Sequence, residues 1–207
     1  MSITNPDAQP SPEASAREAD ARDRADMGQL IAGHDAALND LMERHATSLF
    51  HFLCRMVGNE DDANDLAQET FVRVFRARAS FRTSEKFSAW LFTIAANLAR
   101  NHFRWRSRHP NVSLDTETGD PEQTLGSTLP ANEPAPNEQA LAAERARAVR
   151  VAVGKLPEDL REAIVLCEWE ERSVAEAAAI LETTPKAVES RLYRARQILR
   201  ERLKQWL

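Results

Sequence analysis

The side chains whose types and spacing best suit a chemical task lie near the C-terminus, on one face of a predicted helix. They combine cations with hydroxyl, amide and carboxylate groups, which are the groups that contact phosphates and base edges in DNA. In chain order they are Lys186, Glu189, Ser190, Tyr193, Arg194, Gln197 and Arg200. The opposite face is apolar, with residues at spacings of four, three and four: Val188, Leu192, Ala195 and Leu199. DNA is therefore the first ligand class that this pattern indicates.

Two helices joined by a tight turn are needed to position this face. Ser173 and Thr184 are favourable N-cap residues for the first and the second helix. Pro185 takes the first position of the second helix, where a missing N–H has no cost. A short helix, a tight connection and a basic second helix are typical of a helix-turn-helix that enters the major groove.

Charge is segregated along the chain, although the formal net charge is only −5. Residues 71–108 contain nine Lys or Arg residues and one acid, and residues 183–207 contain seven basic residues and two acids. Between these blocks, residues 109–140 contain six acids and no Lys or Arg. Two basic segments that flank an acidic connector favour a nucleic-acid ligand, which the net charge alone would argue against.

The hydrophobic pattern predicts an all-α protein with two small helical domains joined by a flexible acidic linker. Residues 1–29 hold few large apolar side chains, so we predict a disordered extension. Apolar residues then recur three and four apart through residues 30–108 and again through residues 138–207. Residues 109–137 lack this period and are rich in Pro, Thr, Glu and Asn, which is typical of a linker.

Several functional classes lack the residues they need. The chain has only six glycines and no Gly-rich phosphate loop. It has no close cluster of Cys and His, and Cys54 and Cys167 lie in apolar helical patterns that favour a core role. No secretory signal is visible, and no apolar run approaches the ~20 residues that cross a bilayer. We therefore expect a cytoplasmic protein that is not an enzyme, has no metal ion or cofactor, and does not insert into the membrane.

Three segments resemble parts of bacterial sigma factors. The segment 65–75, DLAQETFVRVF, resembles the helix that binds the RNA polymerase core, and 87–97, FSAWLFTIAAN, resembles the helix that engages the minus-ten promoter element. Residues 156–203 resemble the domain that reads the minus-thirty-five element. The chain is thus similar to extracytoplasmic-function (ECF) sigma factors over residues 35–108 and 138–205.

The resemblance implies three sets of contact residues. The set for the β and β′ subunits of core RNA polymerase is Asp65, Gln68, Glu69 and Arg73. The set for minus-ten DNA, with a loop that captures a flipped base, is Phe81, Arg82, Lys86, Phe87, Asn97, Arg100, Asn101, Arg104 and Trp105. The set for minus-thirty-five DNA is Lys186, Glu189, Ser190, Arg191, Tyr193, Arg194 and Arg196. From composition alone, the first set would be an ordinary solvated helix face.

Some positions keep two interpretations. Trp105 either packs or stacks on a base, and Arg191 either contacts phosphate or has an internal role, through packing or an ion pair. Glu189 and Lys186 depart from the family, which commonly has a cation and a Gly there, so base preference cannot be copied from a relative. The acidic linker is either a spacer or a mimic of RNA in a basic channel of the polymerase.

Two further partners follow from competing interpretations of the whole chain. Many members of the family are held inactive by an anti-sigma factor, so such a partner is included among the hypotheses. The rival function is a stand-alone helix-turn-helix regulator that binds duplex DNA without polymerase. That rival leaves the segment 65–75 and the aromatic loop near Phe81 unexplained.

Overall fold

The structure, a computed structural model, describes residues 12–109 and 136–206. Every regular element in these two ranges is helical, so the predicted all-α fold is confirmed. The helices are α1 (Pro12–Ile31), α2 (Ala37–Val57), α3 (Glu60–Ala77), α4 (Phe87–Arg108), α5 (Pro136–Gly154), α6 (Glu158–Glu168), α7 (Val174–Ile180) and α8 (Pro185–Arg202), with 3₁₀ turns at Arg78–Ser80 and Lys204–Trp206. The predicted acidic linker lies almost wholly outside the described residues.

The first domain is built from α2, α3 and α4 around an apolar core. Gly58 ends α2 with a left-handed φ of 74°, a conformation that favours glycine. Asn59 then caps α3 by accepting a hydrogen bond of 2.8 Å from the backbone N–H of Asp62. This short connection makes α2 and α3 antiparallel neighbours, and α4 packs against both. In the core, the rings of Phe52 and Phe92 meet edge to face with centroids 5.1 Å apart.

The prediction of disorder for residues 1–29 is wrong for residues 12–29, which belong to α1. Met27 and Leu30 are fully buried against the first domain. The buried carboxylate of Asp23 accepts a hydrogen bond of 2.9 Å from Arg44 and lies 2.8 Å from His45 Nε2. Burial opposes ionisation here, yet these hydrogen bonds hold the pKa of Asp23 below its ordinary value. A few well-placed contacts thus order a helix whose average composition is polar.

The predicted helix-turn-helix is confirmed in the second domain. Ser173 and Glu176 form a reciprocal capping box at the start of α7. Thr184 accepts a hydrogen bond from the backbone N–H of Ala187, and Pro185 takes the first position of α8. The predicted inner face of α8 is turned to the core, with three members buried and the last half-buried: Val188, Leu192, Ala195 and Leu199.

The two domains are in direct contact in the described part of the chain. The helix α7 packs on α4, while α5 and α6 pack on α2. The sequence predicts two separate domains on a tether and gives no sign of this contact. The contact matters for function, because α4 carries most of the residues predicted to bind minus-ten DNA.

Candidate functional site

The predicted polymerase-binding residues form one outward face of α3. Ala67, Phe71 and Val74 are buried on the opposite side, so the amphipathic pattern alone fixes which face is outside. Asp65, Gln68, Glu69 and Arg73 then lie one turn apart along the outer face, either fully or partly exposed.

Local contacts on this face leave it available to a partner. Arg73 donates a hydrogen bond of 2.8 Å to Glu69, one turn away. An exposed ion pair at this spacing contributes only about 0.3–0.5 kcal/mol to folding stability. It therefore orients the two side chains but is weak enough to be replaced by contacts with a partner. Val72 lies beside the pair and is 40% exposed. The sequence does not predict Val72 as a contact residue, because a valine in a helical pattern usually lies in the core.

Two aromatic residues of the predicted DNA-capture loop are core residues, so their assignment is corrected. Phe81 is 6% and Phe87 1% exposed. The ring of Phe81 lies 5.2 Å from that of Trp90, and the ring of Phe87 lies 5.2 Å from that of His45. A ring buried among others has no face left for a base. These two rings instead fix the backbone of the loop that carries Arg82 and Lys86.

The two cations of that loop have different surroundings. Arg82 is largely exposed, and its closest acid is Glu85 at 3.8 Å. Lys86 lies between two acids, since its ammonium donates a hydrogen bond of 2.8 Å to Glu176 of α7 and lies 3.8 Å from Asp20 of α1. The hydrogen bond from Lys86 is the main cause that lowers the pKa of Glu176 to about 2. The same bond raises the pKa of Lys86.

The predicted residues of α4 divide into an engaged pair and an exposed group. Arg100 donates hydrogen bonds of 2.7 Å to Asn97 and 2.6 Å to Glu162 of α6. Burial raises the pKa of Glu162, and the hydrogen bond from Arg100 opposes that shift. The exposed group follows on the next turns of the helix: Asn101, Arg104 and Trp105.

Trp105, the single tryptophan of the minus-ten set, is 49% exposed. Its ring stacks on that of His109, with centroids 5.0 Å apart and the planes 25° from parallel. A half-exposed indole near Arg104 is the arrangement by which single-stranded nucleic acid is held, through stacking and positive charge. Of the two interpretations of Trp105, its exposure favours stacking on a base.

A shallow groove joins the face of α3 to the inner end of the α4 set. It is lined by side chains from both helices and the 3₁₀ turn: Arg73, Arg76, Ala77, Ser80, Trp90, Ile94 and Asn97. Asn97 of α4 therefore lines the same groove as two arginines of α3, Arg73 and Arg76. The predicted polymerase and DNA surfaces are adjacent on this domain.

The outer face of α8 presents the predicted minus-thirty-five residues. Six of the seven are exposed: Lys186, Glu189, Ser190, Tyr193, Arg194 and Arg196. Tyr193 is 66% exposed, and its hydroxyl oxygen accepts a hydrogen bond of 2.7 Å from Gln197. Arg196 donates a hydrogen bond of 2.6 Å to Glu168 of α6.

Arg191 is half-buried and lies 3.7 Å from Asp159, the distance that also separates Arg194 from that carboxylate. The internal ion pair is thus the interpretation of Arg191 that the geometry supports.

The described residues contain no group of His, Cys, Asp and Glu side chains that could hold a metal ion. Within the same ranges, no helix is both long and apolar enough to span a bilayer. Cys54 and Cys167 are half-buried free thiols packed against the core, and burial raises the pKa of both.

Two family matches cover the two domains. Residues 41–109 match Sigma-70 region 2, and residues 146–199 match Sigma-70, region 4. The chain is 32% identical over 177 residues to the ECF RNA polymerase sigma factor SigW of Bacillus subtilis, covering 85% of this chain and 94% of SigW. It is 34% identical over 174 residues to the RNA polymerase sigma factor CnrH of Cupriavidus metallidurans, covering 84% and 90% of the two chains.

Solved structures agree with these relatives. The chain aligns with CnrH in its complex with the cytosolic domain of CnrY at a TM-score of 0.65 and 31% identity, over 89% of this chain and 98% of that one. It aligns with the sigma factor RpoE of Bartonella quintana, bound to the anti-sigma factor NepR, at a TM-score of 0.60 and 28% identity, over 80% and 96%. The chain therefore belongs to the extracytoplasmic-function (ECF) family of RNA polymerase sigma factors, which direct promoter-specific transcription initiation.

Proposed function

We propose that this sigma factor uses three separate surfaces to join core RNA polymerase to a two-part promoter. The face of α3 from Asp65 to Arg73 contacts the polymerase core, α4 and the loop before it contact minus-ten DNA, and α8 reads the minus-thirty-five element. One observation supports the division most: the three predicted sets lie on different helices, and each set has exposed members. Weak contacts on one scaffold then gain from effective concentration.

At the minus-thirty-five element, α8 enters the major groove with its outer face toward the bases. Ser190, Tyr193 and Arg194 face base edges, where an Arg guanidinium pairs best with guanine. Lys186 and Arg196 are placed for phosphate contact, which sets register without reading sequence. Asp159 lies 3.7 Å from Arg194 and gives that side chain a position before DNA binds.

At the minus-ten element, the exposed members of the α4 set hold the melted strand. Trp105 supplies a stacking surface, Asn101 offers hydrogen bonds to base edges, and Arg82 and Arg104 attract phosphates. Phe81 and Phe87 act indirectly, since their buried rings hold the loop that bears Arg82 and Lys86. Asn97, Lys86 and Arg100 complete the surface once they are free of their present partners.

The chain itself is proposed to supply recognition and no catalytic step. Its relatives are sigma factors, a family that is not enzymatic, and the polymerase performs the chemistry. Because polymerase and chromosome are its proposed partners, we infer that it acts in the cytoplasm. An anti-sigma factor is proposed as a further partner, because the solved structures of CnrH and RpoE were determined with CnrY and NepR.

The stand-alone regulator is not favoured by these findings. It accounts for α7 and α8 but does not explain why residues 41–109 match Sigma-70 region 2. Such a regulator would bind a symmetric duplex site without polymerase.

Run-off transcription with purified core polymerase on fragmented genomic DNA tests the proposed function. Transcripts that start at shared two-part sequences only when this chain is added are the expected result, and their start sites would also reveal the promoter. Absence of stimulation, or tight binding to a symmetric duplex site without core polymerase, would overturn the proposal.

A further inference from the structure

Glu189 is the one acid among the residues of α8 that are predicted to contact minus-thirty-five DNA. It lies in the second turn of the helix, and its side chain is exposed. Ser190 follows it directly, and Tyr193 and Arg194 lie one turn further along the same outer face. In a helix-turn-helix, the N-terminal residues of the second helix contact base edges. A carboxylate therefore lies on the part of α8 that comes closest to the bases.

The nearby arginines of α8 are held by acids of α6 and not by Glu189. Both Nε and Nη2 of Arg196 donate to one carboxylate oxygen of Glu168, at 3.1 and 2.6 Å. Arg194 lies 3.7 Å from Asp159. In the part of the chain that the structure describes, the Glu189 carboxylate forms no ion pair and no hydrogen bond. An internal pair thus does not account for this acid, and its oxygens are open to a ligand.

We propose that Glu189 is a specificity-determining residue whose carboxylate accepts a hydrogen bond from the N4 amino group of a cytosine in the minus-thirty-five element. The inference rests on the proposed function, because it takes α8 as the helix that enters the major groove. It adds the identity of one base that this helix selects.

The major groove offers few donors that suit a carboxylate. An ionised carboxylate only accepts hydrogen bonds, and the groove edges of guanine and thymine offer acceptors that repel it. The amino group of adenine lies between two acceptors, its own N7 and the O4 of the paired thymine. The amino group of cytosine has an acceptor on one side only, the O6 of the paired guanine. Cytosine is therefore the base that Glu189 fits best.

The carboxylate acts on selectivity and not on total affinity. Phosphates repel an anion, so Glu189 lowers the affinity of α8 for DNA of any sequence. At a base pair without a suitable donor, its oxygens lose water and gain no hydrogen bond. A penalty against the wrong base is itself a source of specificity. A single wrong base pair typically lowers affinity by about tenfold.

Selection from a randomised promoter tests this assignment with the full-length chain assembled with core polymerase. A promoter found by run-off transcription is randomised across its minus-thirty-five element, and the duplexes that the holoenzyme binds are sequenced. For the wild-type chain we expect one position at which cytosine is enriched by about tenfold over the other bases.

Substitutions of Glu189 should change the preferred base at that position alone. The glutamine amide has a donor and an acceptor that match N7 and N6 of adenine, so Glu189→Gln should lose the cytosine enrichment and favour adenine. Lysine only donates and matches the acceptors of guanine, so Glu189→Lys should favour guanine. Preferences at the other positions should stay as in the wild-type chain, because Glu189 is exposed and supports no part of the core.

Glu201→Gln is the matched control. It makes the same change of charge on α8, at an exposed position in the last turn and beyond the predicted base-reading residues. It should keep the cytosine enrichment of the wild-type chain, so a change seen only in the Glu189 variants cannot be an effect of net charge.

A cytosine enrichment that persists in Glu189→Gln, or a wild-type selection without any cytosine-enriched position, would overturn the inference. Equal weakening of preference at every position would also overturn it, because Glu189 would then act on the whole helix and not on one base. Failure of the proposed function has a different signature, since run-off transcription with core polymerase would reveal no promoter to randomise.

Discussion

Lys86, the residue before α4, donates a hydrogen bond of 2.8 Å to Glu176 in the first turn of α7. The other carboxylate oxygen of Glu176 accepts from the backbone N–H of Ser173 at 3.1 Å and from its hydroxyl at 2.9 Å. One carboxylate therefore caps α7 and joins the two domains. Any process that separates the domains leaves the cap in place and, of the contacts that Glu176 makes, removes the one with Lys86.

This relationship predicts how Glu176 titrates. Its pKa is lowered from the ordinary 4.5 to about 2, chiefly by the hydrogen bond from Lys86. A lowered pKa means that the ionised carboxylate stabilises the folded chain above pH 4.5, and that this stabilisation is lost as the pH falls through about 2. Carboxyl-detected NMR titration should find the low pKa in the wild-type chain and a rise toward 4.5 in Lys86→Met.

The bonds from Ser173 remain in Lys86→Met, so the pKa of Glu176 should stay below that of an exposed glutamate in the same spectrum. An equally low pKa of Glu176 in both proteins would show that Lys86 is not its cause and would contradict the contact between the domains.

Charge reversal at Glu69 should weaken binding to core polymerase. Glu69→Arg places a cation in the middle of the predicted contact face and also repels Arg73, its present partner at 2.8 Å. The exposed pair contributes only about 0.3–0.5 kcal/mol to folding, so the domain should remain folded. We expect a loss of about tenfold in affinity, or about 1.4 kcal/mol, in a fluorescence titration with core polymerase.

Glu43→Arg is the matched control, since it makes the same charge change on an exposed face of α2 in the same domain. It should bind core polymerase with wild-type affinity. Equal affinities for the two variants would remove α3 from the polymerase interface.

Local sequence signals predict the elements of this fold well. Ser173, Thr184 and Pro185 are found at the helix starts where their chemistry places them, because a cap depends on neighbours within three residues. The helical spacing of apolar residues likewise predicts which faces of α3 and α8 are exposed. The ordering of α1 could not be predicted, because it rests on Met27 and Leu30 and on a carboxylate that bonds residues of α2.

Contacts between distant residues account for the errors in the site. An aromatic residue in a loop suits either a base or a core, and only the packing of His45 and Trp90 against Phe87 and Phe81 decides between them. Nothing near Glu162 in the sequence indicates that its partner lies in another domain. Its contact with Arg100 depends on how the folded domains pack. The sequence therefore predicts Arg100 as a DNA contact but does not predict that Glu162 binds it.

Substitution of aromatic residues should separate packing from DNA contact. Phe87→Ala empties a buried site and should cost about 3–5 kcal/mol of unfolding free energy. Trp105→Ala removes a half-exposed ring, so thermal unfolding should hardly change. Binding of the assembled holoenzyme to single-stranded minus-ten DNA should instead weaken by about 1–3 kcal/mol, the worth of one stacked base.

Trp105→Phe tests the cause of that loss, because a phenyl ring keeps a stacking surface. It should recover part of the affinity that Trp105→Ala loses. If Trp105→Ala destabilises the fold as strongly as Phe87→Ala and leaves DNA binding unaltered, the indole is a packing residue and the minus-ten surface needs another stacking group.

The placement of α8 in the major groove predicts unequal effects of two cations near the C-terminus. Arg194 lies on the outer face among the predicted base-reading residues, whereas Lys204 follows the end of the helix. Arg194→Ala should weaken promoter binding by about 1–3 kcal/mol and relax base preference at one position. Its exposed ion pair with Asp159, at 3.7 Å, contributes little to stability, so folding should be unaffected. Lys204→Ala should change promoter binding by less than about 0.5 kcal/mol.

Run-off transcription across template concentrations measures the effect of both variants. Equal losses would contradict the groove placement, because Arg194 would then contribute only its positive charge, as Lys204 does.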